Sequence, residues 1–554
     1  MKVQNGYAPA SNAWRSNAGW HSDAGGRENK EKLRRSPKGE VGVPTEASGL
    51  RLVPLGGLEE IGRNMSFFEY KNEIIIIDMG IQFPEEETPG IDFIIPNTAY
   101  LEEKKANIKG LILTHGHFDH IGAIPYLIGK IGNPIIYATG MTKELVLKHQ
   151  NDFPHAPKLQ IIKVNGGDIV NIGNYFTAEF FGVDHTIPDT AGVIVKTPIG
   201  NIVHFADFRI EYNALGEPQD LSDYQRIGKM GIHTLMIDST NADEPGRSLS
   251  EKIVEKNLED LFIKAEGRII ITLFSTLLTR IYEILKIADR IGRKVAITGR
   301  SMKENIELAQ NLGYIKPAKG LIIPIEEVSK YKDNKVMIFT TGSQGQTNSG
   351  LMKILTGENR HVKIKPSDMI IFSSSAVPGN ERSIQNIKDG LCRQGADVHT
   401  SELIDIHSSG HAPAEDLKTV IKIIQPQFLL PVHGHYFKRA ANAKIGAELG
   451  ISKDRLMLMD NGQVAELGKN SFKITKETVP AYYVMVDGLG VGDVSEVVLR
   501  DRKLMSADGM FVIIAVVDSQ TGKIKGEPDI ISRGFIYMKE SKELLRQTRK
   551  KIKE

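Results

Sequence analysis

The chain has 554 residues, and at roughly 150 residues per domain this excludes a single unit and predicts three or four. Hydrophobic residues at 41% and charged residues at 25% match a globular protein, and no apolar run approaches the ~18 residues of a membrane-spanning helix, which excludes a membrane protein. The 70 Lys and Arg against 68 Asp and Glu leave a formal charge of +2, so a nucleic-acid partner needs local patches, while the lone Cys392 excludes an intrachain disulfide and a cysteine-rich zinc knuckle.

One cysteine points to a reducing, cytoplasmic setting and to metal chemistry built from His and Asp. Residues 1–50 lack hydrophobic periodicity and carry eight Lys/Arg against five Asp/Glu, with a basic cluster from Lys30 to Lys38. They read as a disordered basic tail, and Trp14 and Trp20 within it read as incidental. From Arg51 short apolar runs alternate with turns: Leu52–Leu55, Ser66–Tyr70, Ile74–Ile77, Gly110–Leu113, Pro134–Tyr137 and Gly192–Lys196 predict strands. Helical stretches Gly122–Ile131 and Thr142–His149 lie between some of them, which predicts a layered α/β unit with a mixed sheet. A second α/β rhythm runs from about Ser248 to Asp397. It comprises helix Ser250–Ala265, strand Arg268–Leu273, helix Leu277–Ile291 and strands Lys294–Ile297, Lys335–Thr340 and Asp368–Ser373. After about Ser471 come strands near Ala481–Val486, Val494–Val498 and Met510–Val517, then a basic helix, Lys539–Lys553.

The strongest chemical signal is Thr114-His115-Gly116-His117-Phe118-Asp119-His120, directly after the apolar run Gly110–Leu113. Three imidazoles and a carboxylate on a loop leaving a buried strand suit two adjacent borderline cations such as Zn²⁺ or Mn²⁺, with a solvated polar loop or a structural zinc site as the blander readings. Further donors follow strand-like runs: His185, Asp207 and His433, the last in Pro431-Val432-His433-Gly434-His435. Asp78 in Ile76-Ile77-Asp78-Met79-Gly80, Asp238-Ser239-Thr240-Asn241 and His407-Ser408-Ser409-Gly410-His411 are the remaining polar motifs at strand or loop ends.

Taken together, these motifs resemble the metallo-β-lactamase superfamily and its β-CASP branch of nucleases. The resemblance implies an αββα sandwich with an inserted α/β β-CASP domain and a small α+β C-terminal domain. The expected organisation is a first sandwich part at 51–247, the β-CASP domain at 248–397, a second sandwich part at 398–470 and a C-terminal domain at 471–554. It implies His115, His117 and His185 on one metal, Asp119, His120 and His433 on the other, and Asp207 as bridge. Asp78 then supports the metal loop from behind, Asp238 lies near the metals at a strand end, and His411 sits by the scissile phosphate as general acid.

Gly56-Gly57-Leu58-Glu59-Glu60-Ile61-Gly62-Arg63-Asn64, Thr340-Thr341-Gly342-Ser343-Gln344-Gly345 and Ser373-Ser374-Ser375-Ala376-Val377-Pro378-Gly379-Asn380-Glu381 are similar to stretches of the bacterial ribonuclease J family. The similarity spans Arg51 to about Ser541. It implies that Gly342, Ser343, Gln344, Gly345, Ser374, Ser375, Asn380, His407 and His411 contact RNA or its phosphates, through backbone N–H groups and hydroxyls. It also implies two Zn²⁺ per subunit, with Mn²⁺ or Mg²⁺ as alternatives, and hydrolysis by a metal-activated water assisted by Asp119 and Asp207, leaving 5′-phosphate and 3′-hydroxyl ends. The implied roles are 5′→3′ exonuclease and endonuclease action in messenger decay and ribosomal RNA maturation. A homodimer or homotetramer and RNA-decay partners are implied as well. Two departures stand out. Gln346-Thr347-Asn348 replaces an acidic residue, proline and methionine, and His435 replaces a common acidic residue and reads as a surface histidine. The chain ends seventeen residues after Tyr537, so a shortened C-terminal domain is expected. The competing readings are a small-molecule metallohydrolase, which needs neither the insert nor the DSTN and SSGH motifs, a non-catalytic RNA-binding scaffold, and a DNA-directed nuclease of the same branch.

Overall fold

The computed structural model describes residues 49–84, 88–213, 216–346, 348–377, 380–488, 490–492, 494, 496–536 and 541–554. The chain divides into two units, Met1–Pro44 and Thr45–Glu554. The first, with the Lys30–Lys38 cluster, Trp14 and Trp20 of the expected tail, lies outside the described residues, and everything below concerns the second.

Two sheets form its centre. The first has eight strands in the order Ser471–Thr478, Gln463–Gly468, Leu50–Gly56, Met65–Tyr70, Glu73–Ile77, Ile108–Ile112, Ile136–Ala138 and Ile161–Lys163. Pairing is antiparallel as far as Glu73–Ile77 and parallel beyond it, the mixed sheet the sequence predicts. The second has six strands: Phe428–Val432, Ile232–Asp238, Asn201–His204, Ala191–Lys196, Phe176–Gly182 and Ile169–Ile172.

Successive strand residues point to opposite faces, so one strand serves two cores. Ile75, Ile77 and Ile112 of the first sheet meet Phe180, Val193, Met236 and Leu430 of the second in one apolar layer. Their neighbours Ile74, Ile76 and Leu111 turn outward to pack with Met141 and Val146 of helix Gly140–Asn151. On the far side, Ile194, Leu235 and Ile237 pack with Ile227, Leu417 and Val420 of helices Ser222–Gly228 and Ala414–Ile424. The layers are therefore helix, sheet, sheet, helix.

The insert is a third sheet, six parallel strands in the order Ile322–Ile323, Lys294–Ile297, Val336–Thr340, Ile269–Thr272, Met369–Phe372 and Asp397–Thr400. A parallel sheet needs helices on both faces. Ile269 and Ile271 pack with Leu258 and Leu285 of helices Glu251–Lys264 and Leu278–Arg290, while Ile270 packs with Leu351, Ile387 and Leu391 of helices Gly350–Leu355 and Glu381–Arg393. Ser250 caps the first of these helices, its hydroxyl accepting from Lys252 N at 3.2 Å. Loops 341–346 and 373–377 leave the carboxyl ends of two central strands, the edge where open α/β sheets bind ligands.

Beyond the sandwich lie helix Glu496–Asp508, the hairpin Met510–Val517 with Ile524–Arg533, and helix Lys542–Lys553. The strand expected at Val494–Val498 is corrected here: the described chain from Glu496 onward is helical. The apolar run Val497-Val498-Leu499 reads as β in isolation, yet the chain continues Arg-Asp-Arg-Lys-Leu-Met through helix-favouring residues, and Leu499 is buried against Ile91, Ile94 and Met485. The helix expected at Gly122–Ile131 shortens to Ile124–Leu127. Of the basic helix expected at Lys539–Lys553, Lys539 and Glu540 lie outside the described residues and the helix runs Lys542–Lys553. No described helix is long and apolar enough to cross a membrane.

Candidate metal centre

The polar motifs converge because each sits where a strand of the sandwich ends. Asp78 follows Glu73–Ile77, the His115–His120 loop follows Ile108–Ile112, His185 follows Phe176–Gly182, Asp207 follows Asn201–His204, and His433 follows Phe428–Val432. Asp238 is the last residue of its strand. Three of these exits pass through left-handed backbone, at Asp78 (φ 59°), Ala206 (φ 58°) and His433 (φ 51°), which turns each side chain back over the sheet ends. Gly80 has no room for a side chain, because a β-carbon there would overlap the Asp119 carbonyl.

Two donor groups lie at the strand ends, and a third overlaps them, made of Asp207, Asp238, His411 and His433. His115, His117 and His185 form one, with His115 Nε2 and His185 Nε2 each 3.1 Å from His117 Nδ1. Asp119, His120, Asp207 and His433 form the other, with Asp207 Oδ2 3.2 Å from His120 Nε2 and Asp207 Oδ1 3.0 Å from His433 Nδ1. Asp207 Oδ2 also lies 3.7 Å from His115 Nε2, so this carboxylate stands between the groups. Asp78 accepts from Thr114 N and Oγ1 at 2.8 and 2.9 Å and holds His120 Nδ1 at 2.8 Å, turning His120 Nε2 toward Asp207 and Asp119. His185 Nδ1 donates to Gly410 O at 2.7 Å, which aims its Nε2 at His117.

The residues fit divalent cations. Each group brings its donor atoms within 4.8 Å of one another, and the mixture of imidazole and carboxylate is that of a borderline-metal site. His433 Nε2 is buried without a hydrogen bond, and a cavity of about 20 Å³ opens between Asn64, His120, Asp207 and His433. The charge balance agrees. Burial holds His115 and His185 well below the usual imidazole range and brings His117 to about 4, so all three present neutral donor nitrogens. Burial acts against charging His120 and His433 too, yet the surrounding carboxylates together outweigh it, Asp207 foremost, with Asp119 and Asp78 around His120 and Asp119 and Asp238 around His433, and push both well above that range. In return His433 and His120 hold Asp207 well below the carboxylate range against its own burial. The second group thus favours cationic charge in its midst.

His411 stands at the edge of this centre, its Nδ1 2.8 Å from Asp238 Oδ2 and 4.0 Å from Asp207 Oδ2. Burial lowers its basicity, but Asp238 and Asp207 together more than compensate and raise it above the usual imidazole value. Asp238 also accepts from Thr240 N and Oγ1 at 2.8 and 2.7 Å, so the DSTN turn orients the carboxylate that orients the imidazole. The connection from His411 to His433 runs through helix Ala414–Ile424 and strand Phe428–Val432.

The residues expected to hold phosphate divide. Ser343, Ser374 and Ser375 line a cavity of about 150 Å³ with Lys388, Thr400 and Glu402. Gln344 turns inward instead, its Nε2 donating to Ser375 O and its Oε1 accepting from Val377 N, both at 2.7 Å, so it braces the serine loop. Gly342 and Gly345 supply the positive-φ turns (112° and 82°) of that loop, and Asn380 precedes helix Glu381–Arg393. His407 Nδ1 accepts from the Arg280 guanidinium at 2.6 Å, and burial with that neighbouring cation brings its pKa to about 3. Of the Gln346-Thr347-Asn348 departure, Thr347 lies outside the described residues, as do Pro378 and Gly379 of the serine loop, and Ser349 just after it caps helix Gly350–Leu355 through Met352 N at 3.2 Å. His435 is half-buried rather than on the open surface, with Nδ1 3.0 Å from Glu59 O.

Several residues around the centre carried no signal of their own in the sequence. Asn64 Nδ2 donates to Asp119 O at 3.1 Å and lies 3.1 Å from His120 Nε2; its place at the end of the Gly56–Asn64 stretch was the only hint. Asn241 Nδ2 donates to Ser409 Oγ at 2.9 Å and ties the DSTN turn to the SSGH loop. Arg209 donates to Ser408 Oγ at 2.8 Å and to Glu251 Oε1 at 2.9 Å, and Arg280 pairs with the same Glu251 carboxylate. One half-buried acid of the insert therefore joins the two arginines that reach Ser408 in the loop carrying His411.

Comparison with known proteins agrees with this arrangement. Family models match in four stretches: the metallo-β-lactamase superfamily over residues 59–206, the ribonuclease J β-CASP domain over 266–391, the Zn-dependent metallo-hydrolase RNA specificity domain over 395–453 and the ribonuclease J C-terminal domain over 497–554. The chain is 37% identical over 496 residues to ribonuclease J 1 of Streptococcus pyogenes, covering 90% of this chain and 88% of that one. It is 34% identical over 499 residues to ribonuclease J2 of Bacillus subtilis, covering 90% and 89%. A solved structure of a protein of unknown function from Enterococcus faecalis V583 shares the fold at a TM-score of 0.54 and 17% identity, over 76% of this chain and all of that one. With close to nine-tenths of both relatives matched at more than one residue in three, the chain belongs to the ribonuclease J family.

Proposed function

We propose that the chain is a metal-dependent ribonuclease that hydrolyses RNA phosphodiesters, leaving a 5′-phosphate and a 3′-hydroxyl, by 5′→3′ exonuclease and endonuclease action. The observation that carries this reading is the His411–Asp238 pair, held at 2.8 Å beside donor groups that share Asp207. In it His115, His117 and His185 would hold one cation and Asp119, His120 and His433 a second, with Asp207 available to either. Two Zn²⁺ are the proposed occupants, with Mn²⁺ and Mg²⁺ as the alternatives a reconstitution would rank. When bound, such cations supply an acidified water and neutralise charge on the phosphate oxygens.

The protein's own groups do the rest. Asp119 and Asp207 would orient the attacking water, and one of the two would take the single proton it releases. His411, with Nδ1 committed to Asp238, keeps Nε2 for the departing 3′ oxygen, and the carboxylates beside it raise the basicity of its ring, which favours the protonated form. Hydroxyls of Ser343, Ser374 and Ser375 and the turn at Gly342 and Gly345 hold the RNA on the insert side, in a cavity whose size suits one terminal phosphate. The insert and the SSGH loop separate this chain from a small-molecule hydrolase, which needs neither. Messenger decay and ribosomal RNA maturation, a cytoplasmic setting, a homodimer or homotetramer and association with RNA-decay proteins belong to the same reading. Exposed Val516 and Val517 of the C-terminal hairpin support assembly.

The test is end-group analysis of RNA cleaved by chelator-stripped protein reloaded separately with Zn²⁺, Mn²⁺ or Mg²⁺. Cleavage restored by metal, with 5′-phosphate and 3′-hydroxyl products, supports the proposal. Cleavage that survives stripping, or 2′,3′-cyclic phosphate ends, contradicts it.

A further inference from the structure

Helix Tyr436–Glu448 begins three residues after His433, and its first two side chains are large aromatics left 57% and 58% exposed, Tyr436 and Phe437. Its packing does not call for them, because its buried face is made by Arg439, Asn442, Ala443, Ile445 and Gly446. Both rings are nevertheless held in place. The Arg439 guanidinium, fully buried and donating to Gly434 O at 3.1 Å, lies 5.6 Å from the Tyr436 ring centre. The Lys438 ammonium, bonded to Asp243 at 2.6 Å, lies 5.4 Å from the Phe437 ring centre. The His435 ring is within 6° of parallel to Phe437, with centroids 6.2 Å apart.

The backbone carrying these rings leaves the candidate metal centre directly. Phe437 is four residues from His433, at most about 15 Å along Cα atoms spaced 3.8 Å, and His433 Nδ1 lies 3.0 Å from Asp207. A fixed aromatic face backed by cations is the surface on which unpaired bases stack, without regard to sequence. Two side chains offer far less area than the ~800 Å² per partner of a stable protein interface, which favours a base over another protein.

Resting on the ribonuclease reading, we propose that Tyr436 and Phe437 form a stacking platform for an unpaired base of the substrate RNA, next to the nucleotide whose phosphate is cleaved. The platform positions substrate and takes no part in the chemistry.

The test is steady-state cleavage of a single-stranded oligoribonucleotide by the metal-loaded full chain, for wild type, Tyr436→Ala, Phe437→Ala, Phe437→Leu and Phe437→Trp, with sedimentation of the RNA-free proteins alongside. Stacking predicts that each alanine variant raises KM roughly 5- to 30-fold, with kcat within threefold. Leucine, apolar but without a π face, should behave like alanine, and tryptophan should restore the wild-type KM. Wild-type KM in both alanine variants would overturn the proposal, and so would full rescue by leucine. A change in sedimentation without a change in KM would also overturn it and assign the rings to contact between copies. Failure of wild type to cleave RNA would instead bring down the ribonuclease reading itself, a separate and visible outcome.

Discussion

His411 Nδ1 lies 2.8 Å from Asp238 Oδ2 although 173 positions separate the two residues in the chain. Asp238 ends a central strand of the second sheet, and His411 comes from the loop by which the chain returns from the insert to the sandwich. The pair therefore exists only when the insert is seated on the sandwich. Replacing His411 by Ala should lower single-turnover RNA cleavage by about 10²- to 10⁴-fold, the usual worth of a general acid. Asp238→Asn should lower it by less, since the imidazole remains. Metal content, measured by mass spectrometry of the purified proteins, should stay at wild-type level for His411→Ala if the cations sit in the groups His115, His117, His185 and Asp119, His120, Asp207, His433, which do not include it; a loss of metal would place a cation in the overlapping group with His411.

The seating itself rests on Glu251. Its carboxylate is shared by Arg209 of the sandwich and Arg280 of the insert, and those cations, overcoming its burial, bring its pKa from 4.5 to about 2. An acid whose folded pKa is depressed contributes stability that is present above its unfolded pKa and lost as pH falls through the folded value. Here that window runs from about 4.5 to about 2 and amounts to roughly 3 kcal/mol. Glu251→Gln should cost about 3 kcal/mol at pH 7, since it takes the carboxylate partner from the buried Arg280 guanidinium, while Arg209 keeps Glu211 at 3.0 Å. It should also remove this contribution to acid sensitivity. Urea titrations at pH 7 and pH 3 check both: the gap between wild type and variant should narrow at the lower pH.

Gly410 has a separate duty. Its carbonyl holds His185 Nδ1 at 2.7 Å, and a β-carbon at Gly410 would come within 2.6 Å of His185 Cε1, a contact that forces the ring to move. Gly410→Ala should therefore lower bound metal toward half of the wild-type stoichiometry while leaving the fold intact by circular dichroism. Unchanged stoichiometry would remove His185 from the metal-holding set.

The chemistry of the centre was more legible in the sequence than its support. Dense donors such as His115-x-His117-x-Asp119-His120 declare themselves because core packing has no use for them, and β alternation located the strand ends that carry His185, Asp207 and His433. Asn64, Asn241 and Arg209 did not declare themselves, since a single amide or guanidinium acquires meaning only from partners brought near by the fold. Glu251 and Arg280 are 29 positions apart, and Arg209 and Ser408 are 199 apart. Gln344 and His407 show the converse. Their motifs suggested phosphate contact, whereas hydrogen bonds to Ser375, Val377 and Arg280 occupy their polar atoms. The helix at Glu496–Asp508 was hidden for the same reason, because tertiary burial of Leu499 overrode a local β preference.

The central claim is that this centre cleaves RNA and that the serine-lined cavity reads the 5′ end. The direct measurement is a time course on one RNA carrying either a 5′ monophosphate or a 5′ triphosphate, for wild type and for the double variant His117→Ala with Asp119→Ala, with and without chelator. The account predicts mononucleotide release that prefers the monophosphate and disappears in the double variant and with chelator. RNA left intact by wild type under every metal tested, or cleaved equally by the double variant, would contradict it.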